Sequence, residues 1–78
     1  MNQKGNSSHY RDEEGLKKVG AKIREIRMSK GISQEAFANS CDINYTQINR
    51  MELGKVNFSI SNLFRIVRAL ELDLGELL

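Results

Sequence analysis

The stretch Asn44–Lys55, NYTQINRMELGK, is mostly polar and carries one Ile and one Met, three residues apart, before Gly54. On a helical wheel turning about 100° per residue, with Ile48 at zero, Met51 falls about 60° to one side and Tyr45 about 60° to the other. Thr46, Asn49, Arg50 and Leu53 lie on the far half, and Gln47 sits at a flank. Such a helix is held by a narrow seam and offers a polar face outward. Arg can bond guanine O6 and N7 together, Asn and Gln can bond adenine N6 and N7, and Thr and Tyr can meet a thymine methyl. An ordinary solvated helix is the plainer reading of the same composition.

Glu52 sharpens the pattern. It lies about 40° from Ile48, on the buried flank. An unpaired buried carboxylate costs several kcal/mol, on the order of its desolvation. Arg27 lies about 40° from Ile23 on an earlier helix, equally misplaced alone. The two are expected to pair and tie the helices together. The alternative is that Arg27 reaches solvent and Glu52 sits at a wet edge.

Working outward, helical spacing dominates and no stretch alternates with period two for long. A first helix is expected from Asp12 to Lys30, with Leu16, Val19, Ile23 and Ile26 on one face and Gly31 as a left-handed stop. Gly15 and Gly20 weaken its first half by about 1 kcal/mol each relative to Ala. A second helix is capped by Ser33, carries Phe37, Ala38 and Cys41, and ends near Asp42. The third follows Asn44 after a very short turn, which forces a large crossing angle as in a helix-turn-helix. A fourth follows Ser59 to about Leu70 with Ile60, Leu63, Ile66, Val67 and Leu70 as its apolar stripe and Phe64 at the edge. A fifth, barely more than a turn, begins at Asp73, where Asp73 and Glu76 have capping-box spacing.

The chain has 78 residues, room for one domain, divided into a flexible arm over 1–11 and a folded domain over 12–78. Cys41 is the only cysteine and His9 the only histidine, so neither a disulfide within the chain nor a metal site is expected. Compact helical packing with a dimer interface is the remaining route to stability. No signal peptide or membrane span is visible, which with the lone thiol points to the cytoplasm. Net charge is +2, but residues 1–31 carry a balance of +4 and residues 32–78 a balance of −2. The basic end suits a polyanion, although a mixed solvated surface reads the same. No nucleophile–base pair or cleft carboxylate pair is present, so no catalytic residue and no cofactor are expected.

ISQEAFA at 32–38, Ile43 and Ile48 about the tight turn, RMELGK at 50–55 and LFRIVRALELDLGELL at 63–78 together resemble the helix-turn-helix domain of the phage repressor and Cro class, the Xre family. The resemblance covers about Val19 to Leu78. It implies an all-α, five-helix, lambda-repressor-like fold with the third helix in the major groove. By position, Tyr45, Thr46 and Arg50 match base readers, with Gln47 and Asn49 as further contacts. Ser33, Gln34, Asn44 and Lys55 match phosphate contacts, and Gln34 also matches a residue that braces the first reader. Arg27 and Glu52 match a pair common in the family.

There are departures. Asp42 stands where the turn usually has Gly, Cys41 at a Leu-like position, Phe58 where many members have Pro, Ala36 for Glu, and Leu53 for a polar residue that often touches phosphate. The implied function is a sequence-specific DNA-binding transcriptional regulator, a stand-alone domain resembling restriction-modification controllers. It would bind a palindromic operator on double-stranded DNA as a homodimer. Phe58, Phe64, Leu74, Leu77 and Leu78 are the dimer-interface candidates, against the alternative that the leucines close the monomer core. The competing class is a protein-interaction module, such as an antitoxin that binds a toxin or another regulator.

Overall fold

Local signals bracket each helix of the computed structural model, which describes residues 11–78. Helix α1 spans Glu13–Ser29, and the Asp12 carboxylate caps it by accepting from the Gly15 N–H at 2.9 Å. Helix α2 spans Gln34–Cys41, with Ser33 Oγ accepting from the Ala36 N–H. Helix α3 spans Tyr45–Glu52, with Asn44 Oδ1 accepting from the Thr46 N–H at 2.8 Å. Helix α4 spans Ile60–Leu70, with Ser59 Oγ accepting from the Asn62 N–H. Each cap satisfies a backbone donor that the first helical turn leaves free.

The C-termini repeat one device. Gly31, Asp42, Gly54 and Glu71 are left-handed, with φ of 70°, 55°, 71° and 57°. After each, the next N–H reaches back to a carbonyl five residues earlier: Ile32 to Arg27, Ile43 to Ala38, Lys55 to Arg50 and Leu72 to Val67. This is the Schellman closure. Asp42, standing where the turn usually has Gly, adopts the left-handed conformation all the same, and its carbonyl accepts from Arg65 Nη1 at 2.9 Å. Glu71 was not foreseen there, because nothing in a Glu side chain favours that backbone.

Ile23, Phe37, Ala38, Cys41, Ile43, Ile48, Met51, Ile66, Val67, Leu70 and Leu77 form one core. Two expectations need correction. The fifth helix is a single 3-10 turn, Leu74–Glu76, so the described residues hold four α-helices and no strand. The Glu76 carboxylate does accept from the Asp73 N–H at 2.9 Å, but a turn containing Gly75 has too few bonds to propagate. Ile60 is 66% exposed rather than packed. At the first position of α4, nothing closes over the stripe. The arm expected over 1–11 lies, apart from Arg11, outside the described residues.

Gly20 has a role that helix propensity hides. A Cβ there would run into the Met51 carbonyl oxygen and come within 2.8 Å of the Glu52 carbonyl oxygen. A Cβ on Gly54 would lie 2.6 Å from Lys17 Cα. Two missing side chains thus let α1 lie directly on the C-terminal end of α3. Gly20→Ala gains about 1 kcal/mol of helix propensity, but the forced displacement of backbone outweighs it. A net loss of about 2 kcal/mol is expected in urea unfolding; an unchanged or higher midpoint would contradict this close approach.

Candidate nucleic-acid interface

Helix α3 is anchored as its apolar spacing dictates. Ile48 and Met51 are buried, while Tyr45, Thr46 and Arg50 are exposed and Gln47 and Asn49 are half-buried. All five candidate base readers therefore sit on or beside the outward face. Lys55 is exposed in the loop that follows. Ser33 and Asn44, expected at phosphates, use their side-chain oxygens as helix caps, accepting from the Ala36 N–H and from the Thr46 and Gln47 N–H groups, so what they can still offer a phosphate is the Ser33 hydroxyl proton and the Asn44 amide NH2.

Beneath this face lies a chain of polar contacts. Arg27 Nε donates to Glu52 Oε2 at 2.6 Å, and Arg27 Nη2 donates to Glu52 Oε1 at 3.1 Å. Arg27 Nη1 donates to the Ile32 carbonyl at 2.6 Å, just beyond the end of α1. Both charged residues are buried, so the ion pair read from the helical wheel is present and two-pronged. Gln34 Nε2 adds a bond to Glu52 Oε1 at 2.9 Å, and Asn49 Nδ2 donates to Gln34 Oε1 at 3.4 Å. Gln34, matched by family likeness to a residue that braces the first base reader, here meets Asn49. The Glu52 carboxylate draws the Gln34 amide to the side of α3 where Asn49 lies.

Residues outside α3 and its flanking loops border the same surface. Arg24 of α1 and Leu53 line a depression shared with Ser33, Gln34, Tyr45 and Asn49. Asn62 and Arg65 of α4 line another with Asn44, Thr46, Gln47 and Arg50. Sequence reading missed Arg24, Asn62 and Arg65 because their helices were judged by apolar stripes. Arg24, three residues before Arg27, shares its side of α1 and carried the signal.

The remaining candidates are placed as follows. Leu77 is 2% exposed and closes the core of its own chain, leaving almost no surface for a partner. Phe58 and Leu74 are half-buried against that core. Phe64 and Leu78 are 42% and 70% exposed. Cys41 is buried, and burial pushes its thiol pKa up to about 11 despite the nearby Arg65 charge. It is held as a neutral filler, away from thiolate chemistry. Among the described residues no group of His, Cys, Asp or Glu is placed to hold a metal, and His9 lies outside them.

Two short helices about a three-residue turn, the second turned polar face outward, define a helix-turn-helix DNA-binding domain. A helix-turn-helix family model matches residues 23–77. The chain belongs to this family, in its Xre and phage-repressor branch: a DNA-binding transcription regulator and not an enzyme. Control protein C.BamHI of Bacillus amyloliquefaciens is 42% identical over 60 residues, covering 76% of this chain and 74% of its own. Control protein C.MunI of a Mycoplasma species is 38% identical over 61 residues, covering 77% and 82%. Among solved structures, the restriction-modification controller protein C.AhdI of Aeromonas hydrophila matches with a TM-score of 0.79 at 33% identity, covering 81% of this chain and 96% of that one. No helix among the described residues is long and apolar enough to cross a membrane.

Glu52→Ala would leave the Arg27 guanidinium buried with only the Ile32 carbonyl as partner. A loss of about 3 kcal/mol in chemical denaturation is expected. A shift near zero would show that the pair is solvated and carries no structural weight.

Proposed function

We infer that the chain binds a palindromic operator as a homodimer, with α3 of each copy in the major groove, and controls transcription, in keeping with relatives described as control proteins. The observation that carries this is the outward placement of Thr46 and Arg50 on a helix gripped on its other side through Ile48, Met51 and Glu52. Tyr45, Thr46, Gln47, Asn49 and Arg50 read bases. Ser33, Gln34, Asn44 and Lys55, together with Arg24, Asn62 and Arg65, meet the backbone on either side. The unit doing this is 12–78.

One short recognition helix reads few base pairs, so specificity calls for two copies on half-sites about 34 Å apart. The exposed pair Ile60 and Phe64, one turn apart on α4, and Leu78 supply apolar surface for the second copy. On this reading the protein works on DNA in the cytoplasm. The toxin-binding alternative gains no support from relatives described as controllers.

Selection of bound duplexes from a random pool tests the reading. A symmetric consensus is expected; the absence of any consensus would remove it, and a single asymmetric half-site would remove the dimer. On the selected site, Arg50→Ala is expected to weaken binding by about 1–3 kcal/mol and to relax preference at one base pair per half-site. Lys55→Ala is expected to weaken all sequences alike and to reduce the log–log salt slope by about one per bound copy. Equal losses on every sequence from both variants would contradict the division into readers and phosphate contacts.

A further inference from the structure

We propose that the buried Glu52 carboxylate, acting through Gln34, fixes which way the Asn49 amide faces and so makes Asn49 a reader of adenine over guanine. The proposal rests on the DNA-binding reading above and adds a rule for one position.

The argument runs from a group that can only accept. A carboxylate paired with a guanidinium has no proton to donate. Gln34 meets Glu52 Oε1 at 2.9 Å, so its amide must present the NH2 end to that oxygen. Its own carbonyl oxygen is thereby turned to Asn49, at 3.4 Å. An oxygen there calls for a donor, so Asn49 turns its NH2 end inward and leaves Oδ1 on the open side. A free Asn rotates about its Cβ–Cγ bond and offers either end. Here a buried charge selects one end through two successive amides. Gln34 and Glu52 are positioning residues in this scheme; Asn49 is the contact.

The outward Oδ1 has a defined preference in the major groove. At the 6-position of a purine, adenine carries an amino donor and guanine a carbonyl acceptor. An oxygen facing that position is attracted by the first and repelled by the second. The Asn49 N–H not given to Gln34 remains available for N7, which both purines share. The last link is long for a hydrogen bond, so it biases the amide rather than locking it.

The test uses the selected operator and three proteins: the wild type, Asn49→Ala and Gln34→Met, a near-isosteric change that removes both amide bonds. The wild type is expected to prefer adenine over guanine by about tenfold at one symmetric position. Asn49→Ala should abolish that preference and leave the others intact. Gln34→Met should reduce it to about threefold or less, whatever it does to overall affinity. Replacing that adenine by 2-aminopurine keeps pairing with thymine and keeps N7 but moves the amino group to the minor groove. The wild type should lose about tenfold, and Asn49→Ala nothing. This arm needs no variant that might unfold.

A guanine preference at the Asn49-dependent position would overturn the proposal, as would an unaltered preference in folded Gln34→Met. Either result leaves operator binding by α3 standing. A wild type that selects no consensus removes both.

Discussion

The two-pronged contact between Arg27 and Glu52 decides where α3 sits on α1. Neither charge is well tolerated alone when this deeply buried, and removing one partner leaves the other uncompensated. Apolar residues of the same volume would hold the helices together equally well but would permit sliding and rotation. A bidentate pair fixes distance and direction at once. It lies where Gly20 lets α1 touch the α3 backbone, so charge and close approach reinforce one placement. Ile48 and Met51 then supply the burial, and little else is required of α3 on its inner side.

The rest of the domain keeps short helices from fraying. Eight-residue helices are marginal by themselves. Here α2 and α3 each begin at a side-chain cap and end at a left-handed residue with a backward hydrogen bond. Ile32, Ile43 and Leu72, the residues after three of the four turns, are apolar and fold onto the core, so each stop signal is also a packing contact. At Asp42 the strain of a non-glycine left-handed residue, about 1 kcal/mol, is opposed by the bond from Arg65. That bond joins the turn between α2 and α3 to α4.

Local chemistry made much of this legible from sequence. Asp12, Ser33, Asn44 and Ser59 announced the helix starts, and Gly31 and Gly54 two of the stops. The ion pair was legible because a charge on a buried flank demands an opposite charge on another. What escaped depended on neighbours that the sequence does not specify. Gly20 looked like a weakness within its own helix, because its value lies in a backbone that arrives from residues 51 and 52. Ile60 fits the apolar period but lies past the covered part of α4. Glu71 carries no sign of its backbone conformation. The link from Gln34 to Asn49 needs two side chains fifteen residues apart to meet, and the last turn had capping-box spacing without length for an α-helix.

The slim seam under α3 also bears on how such a domain diversifies. Thr46 and Arg50 contribute nothing to the interior, so on the proposed reading their exchange would change the target without spending the small reserve of stability. Position 49 is less free, since its amide meets Gln34 and, through it, Glu52. If these residues read bases as proposed, new addresses come by single changes at 46 and 50, whereas a new address at 49 calls for an accompanying change at 34.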